Sequence, residues 1–76
     1  MAALISLNKL KTNETGVIRT IDENAPNKLY DFDFLENQEI TLLQKSPFRG
    51  PIIFKVGAIK VAIRYADACL IWVDQK

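Results

Sequence analysis

The chain has 76 residues, of which 49% are apolar and 25% charged, with a net charge of +1. That is globular composition in a single-domain length, 1–76, and a domain this small buries only about 60% of the surface its unfolded chain exposes. Histidine is absent and Cys69 is the single cysteine, which excludes imidazole base catalysis, Ser-His-Asp triads, an internal disulfide and His-containing or four-cysteine metal sites.

Taken in chain order, Ser6-Leu7-Asn8-Lys9-Leu10 spaces its leucines by three, which predicts one helical turn with Ser6 as its cap. Residues 12–16 are turn-rich, and the β-branched run 16–21 predicts a strand. Residues 22–25 form a polar turn leading to Pro26, a residue suited to the first turn of a helix. A short helix is expected over 26–33, with Ala25, Leu29 and Phe32 on one face and Tyr30 and Phe34 on another. A strand follows at 39–45, and Ser46-Pro47 and Gly50-Pro51 mark turns. Residues 52–56 and 59–64 read as a hairpin hinged at Val56-Gly57-Ala58, and 71–73 as a last strand. Five or so short strands and one helical insert predict an all-β fold, a small closed barrel with Ile18, Leu42, Phe54, Ile63 and Ile71 inside. Closure disposes of the sheet edges that a tiny open sheet would expose.

The longest unbroken apolar run, from Ala68 to Val73, has six residues, far short of the ~20 a membrane helix needs. The N-terminus lacks the basic region and long apolar core of a signal peptide, so a reducing, cytoplasmic setting is expected. Charge is unevenly laid out. Asp22, Glu23, Asp31, Asp33, Glu36 and Glu39 face one base, Lys28, in the first half, whereas Lys45, Arg49, Lys55, Lys60 and Arg64 follow with no acid among them. Such a layout either orients the domain on a charged partner or reflects strands that expose alternate residues to water. The second reading is the simpler one.

The run Lys28-Leu29-Tyr30-Asp31-Phe32-Asp33-Phe34, then Pro47-Phe48-Arg49-Gly50-Pro51, Gly57, Ala62-Ile63-Arg64, Ala68, Ile71 and Val73 resembles the FeoA family of bacterial ferrous iron transport accessory proteins. Leu7, Leu10 and Gly16 fill the opening of that pattern, Asp33 replaces a usual glycine, and Glu36-Asn37 replaces a usual Pro-Gly. Asp and Asn are the non-glycine residues that best tolerate positive φ. The resemblance implies a cytosolic SH3-like β-barrel that is not an enzyme and carries no cofactor. Its implied partner is the membrane ferrous iron permease that carries a G-protein domain.

Asp31, Asp33, Glu36 and Glu39 are the one cluster able to offer several oxygens to a hard divalent ion. Their spacing matches no calcium loop, and a solvated acidic rim is the expectation. Cys69 is expected to be a buried small hydrophobe, and Trp72 to pack in the core or at the barrel mouth. The basic hairpin with Phe48, Phe54 and Tyr65 interleaved supports an alternative, a single-stranded nucleic-acid-binding barrel. Against that stand a pI of 7.8 and the absence of an RNA-binding signature. The aromatics Tyr30, Phe32, Phe34 and Phe48 exceed what a short helix and a loop easily bury. The expected partner-binding surface is therefore Leu29, Tyr30, Phe34, Phe48 and Arg49, with Tyr30 and Phe34 exposed.

Overall fold

A computed structural model describes residues 4–25 and 34–76 of the chain. It contains β1 (Leu4–Ser6), a 3-10 turn (Leu7–Lys9), β2 (Thr15–Ile21), β3 (Glu39–Lys45), β4 (Ile52–Val56), β5 (Ile59–Ile63), α1 (Tyr65–Ala68) and β6 (Ile71–Gln75). The expected helix over 26–33 lies outside the described residues. The 3-10 turn forms where the leucine spacing places it, but Ser6 caps it by position alone, without a side-chain hydrogen bond. β1 and α1 have no counterpart among the expected elements.

The strands make one antiparallel sheet in the order β1-β6-β2-β3-β4-β5. Alternation along each strand decides its inner face. Ile40 and Leu42 of β3, Ile52, Phe54 and Val56 of β4, Val61 and Ile63 of β5, and Ile71 and Val73 of β6 are all buried. They join Leu7, Leu10, Ile18, Phe34 and Ala68 in one core cluster, with Ile5 and Ile21 packed against it. All six strands feed this one core, and α1, at four residues, covers little of it. The five expected interior residues are all at 2% exposure or less, and the all-β, SH3-like barrel is the observed fold. Its two sheet ends, β1 and β5, share no register among the described residues.

Two irregularities supply the curvature. Register in β2 against β6 shifts between Ile18 and Thr20, and in β3 against β4 between Leu42 and Gln44. Arg19 and Leu43 are thus extra residues on their strands, and a bulge bends a strand and raises its twist.

The Arg19 bulge also holds the turn that leads into β3. Asn37 has φ 72, and its N–H donates to Ile18 O at 2.6 Å while Ile18 N–H donates to Gln38 O at 2.9 Å. Arg19 Nη1 donates to Asn37 Oδ1 at 2.9 Å, and Arg19 Nη2 lies 3.5 Å from Asp74 Oδ2. The expectation that Asn37 stands where a left-handed residue is needed is therefore met. Asn37→Gly should leave the melting temperature nearly unchanged, because freer backbone offsets one exposed hydrogen bond. Asn37→Val should cost roughly 1–2 kcal/mol, since a β-branched side chain clashes at positive φ. Thermal melts of the two variants check this, and coincident curves would sink it.

The turn before β2 is tied to the far end of the chain. Glu14 accepts hydrogen bonds from Lys11 N–H and Gln75 Nε2, each at 2.6 Å. The backbone N–H of Lys11, with help from Gln75, holds the Glu14 carboxyl below the usual glutamate range.

Candidate functional site

The segment between β3 and β4 projects the most exposed aromatic among the described residues. Pro47 O accepts from Gly50 N–H at 3.1 Å, and the two residues between them, Phe48 and Arg49, have φ 57 and 58. Positive φ at both central positions is the type I′ pattern, normally filled by Asn and Gly. Gly50 is required by space instead, as a Cβ there would lie 2.9 Å from Ser46 Cβ. Phe48 is 100% exposed. Arg49 is also exposed, with its guanidinium 5.5 Å from the Tyr65 ring centroid. Behind it, Asn8 Nδ2 donates to the Tyr65 hydroxyl at 3.1 Å. The loop is thus braced from the start of the chain through Tyr65 at the head of α1.

Of the expected partner-binding residues, the structure brings together Phe48 and Arg49. Leu29 and Tyr30 lie outside the described residues. Phe34 is a correction: it is 0% exposed and belongs to the core. It precedes the Asn37 turn, and burying a phenylalanine ring where the chain enters β3 anchors that turn. Its neighbour Leu35 takes the outward place, at 47% exposure.

Other expectations change too. Trp72 is 37% exposed and flanked by buried Ile71 and Val73, so it lies on the outer face of β6 rather than in the core. Cys69 is half-buried, because it ends α1 instead of sitting within a strand. Phe54 is a core residue, so the β4–β5 hairpin does not present the interleaved aromatics that base stacking needs. Lys55 and Lys60 of that hairpin face one another across the two strands and are both exposed. Arg64 is paired with Asp67, Nε to Oδ2 at 3.1 Å.

A polar depression of about 470 Å³ opens beside the Asn37 turn, lined by Asn37, Gln38, Glu39, Thr41, Lys55 and Gly57. Its charged groups are Glu39 and Lys55, and Glu39 is paired with Lys76. The Thr41 hydroxyl there shares a hydrogen bond with that of Thr15, Oγ1 to Oγ1 at 2.8 Å. Among the described residues no group of three or more His, Cys, Asp or Glu side chains is placed to hold a metal. Asp31 and Asp33 lie outside those residues, and Glu36 is exposed.

The family model of the FeoA domain matches residues 5–75. The chain belongs to the FeoA family. A crystal structure described as iron uptake regulatory protein FeoA is 27% identical, with 97% of this chain and 99% of that one covered and a TM-score of 0.86. Stenotrophomonas maltophilia FeoA complexed with zinc, described as a prokaryotic SH3 domain protein, is 22% identical over 92% of this chain and 89% of that one, with a TM-score of 0.78. A manganese-dependent transcriptional repressor shares the fold at 20% identity and a TM-score of 0.82, all of this chain matching 44% of that one. No curated protein sequence matches this chain.

Proposed function

We propose that residues 1–76 act as a single FeoA/SH3-like domain, a non-enzymatic cytoplasmic accessory module of ferrous iron uptake. On this reading it binds and regulates the membrane ferrous iron permease that carries a G-protein domain. The family match over 5–75 carries the proposal. The 27%-identical iron uptake regulatory protein supports it. No helix among the described residues is long and apolar enough to cross a membrane, and the chain has no histidine, which suits a docking role better than transport or catalysis. The proposed contact surface is the loop of Phe48 and Arg49, with Leu29 and Tyr30 of the family-like segment as further contacts. Phe34, a core residue, is not one of these contacts. No cofactor is part of this reading.

Pull-down with the tagged full chain from detergent-solubilised native membranes tests the partner. The permease should be enriched over a tag-only control. Arg49→Glu should weaken capture chiefly at low salt, where charge steering counts most. Failure of the wild-type chain to enrich the permease would remove the proposed partner.

A further inference from the structure

The Phe48 turn is strained, and Phe48 itself gains nothing inside the fold in return. A type I′ turn calls for residues that enter the left-handed region easily, yet here it holds Phe48 and Arg49 at φ 57 and 58. Arg49 gains the Tyr65 ring at 5.5 Å in exchange. Phe48, at 100% exposure, gains no packing. Strained backbone that the rest of the molecule holds in place, without local benefit, marks a functional position. Resting on the reading of this domain as a protein-binding module, we infer that Phe48 is a preorganised anchor for an apolar pocket rimmed by carboxylates on a partner protein.

The surroundings select that chemistry. The chain from Lys45 to Arg64 contains five bases and no acid. At the Phe48 end of β4 stand Lys45, which pairs with Ile52, and the braced Arg49, both exposed. Arg64 there is already neutralised by Asp67. Lys55 and Lys60 sit opposite one another beside the Gly57 turn, at the other end of the strand. Arg49 and Lys45, the latter also within reach of Glu14, give one rigid aromatic a basic edge, which matches an acid-edged pocket of a protein. A bilayer surface is a poorer fit, since anionic lipid binding grows with the number of bases in one plane. A fixed turn also reduces the ordering cost of docking into a shaped pocket, an advantage that a fluid lipid surface does not exploit.

The test uses the full chain in two arms. In the first, Phe48→Asn and Phe48→Ala are melted beside the wild type. Phe48→Asn should raise the melting temperature by several degrees, because Asn tolerates positive φ. A lower melting temperature for Phe48→Asn would show that Phe48 serves the fold, and would overturn the inference. In the second, Phe48 is replaced by the photo-crosslinker benzoyl-phenylalanine in living cells, and the adduct is mapped by mass spectrometry. The expected adduct lies on apolar residues flanked by Asp or Glu in a protein, and adding Arg49→Glu should cut its yield roughly tenfold. An adduct on the permease supports both this inference and the proposed partner. An acid-flanked adduct on another protein keeps the inference and removes the permease. No protein adduct, or one on a segment without acids, overturns the inference. So would co-sedimentation of the wild type, lost in Phe48→Asn, with phosphatidylserine-containing vesicles.

Discussion

Phe34→Ala should bring the protein to the edge of unfolding. Truncating a fully buried phenylalanine costs about 3–5 kcal/mol through lost transfer energy and the cavity left behind. At about 0.05–0.15 kcal/mol per residue, a chain of 76 residues has roughly 4–11 kcal/mol in hand. Phe34 is at 0% exposure and packs in a cluster fed by every strand, so the loss falls on the single cooperative unit. With each kcal/mol worth about 4–8 °C at this size, the melting temperature should drop by some 12 °C or more. Phe34→Leu, which keeps most of the volume, should recover much of that. Phe48→Ala is the internal control, since it removes a phenylalanine of equal size that touches water alone. If Phe34→Ala melted within 3 °C of Phe48→Ala, as an order-of-magnitude threshold, the assignment of Phe34 to the core would be wrong.

The contrast between these two phenylalanines also marks the limit of what the sequence reveals. Strand interiors were legible because alternation assigns a face: Ile40 and Leu42, or Ile52, Phe54 and Val56, follow a period of two that the structure keeps. Asn37 was legible because few residues other than glycine accept φ 72. Phe48 stands in a loop, where no period separates inside from outside, and Phe34 reads as exposed only when the helical face of Tyr30 is extended past residue 33, where the chain is loop and the ring is buried. Trp72 did carry a signal. Ile71 and Val73 flank it on the inner face, but the continuous apolar run concealed the alternation.

The short elements were illegible for a different reason. α1 has four residues and β1 three, lengths at which local preference decides nothing. β1 exists because Leu4, Ile5 and Ser6 find Asp74, Val73 and Trp72 across from them. α1 is held by its packing around Ala68 and Tyr65 and by the Arg64–Asp67 pair across its first turn.

Two glycines in the family-like pattern are constrained for opposite reasons, and paired substitutions should separate them. Gly57 turns β4 into β5 at φ +61, yet a Cβ there would meet nothing closer than Gln38 Nε2 at 3.5 Å. Its requirement is conformational. Gly57→Asn should therefore cost less than about 1 kcal/mol, and Gly57→Val about 2 kcal/mol, because a β-branched residue is poorly accommodated at positive φ. Gly16 is the reverse case. It is buried in β2 between Ile40 of β3 and Gln75 of β6. A Cβ there would stand 3.1 Å from Val73 Cγ2, 3.2 Å from Val73 Cβ and 3.4 Å from Asp74 O. The obstacle is side chain and backbone of the neighbouring strand, packed inside the barrel, where overfilling costs about 1–3 kcal/mol. Asn brings no relief at Gly16, since it is larger than the space and adds polar atoms to an apolar interior. Gly16→Asn should thus melt at least as low as Gly16→Val, while at Gly57 the Asn variant should melt several degrees above the Val variant. Should Asn prove as harmful at Gly57 as at Gly16, the hairpin turn would depend on space rather than on φ, and the left-handed assignment of Gly57 would fall.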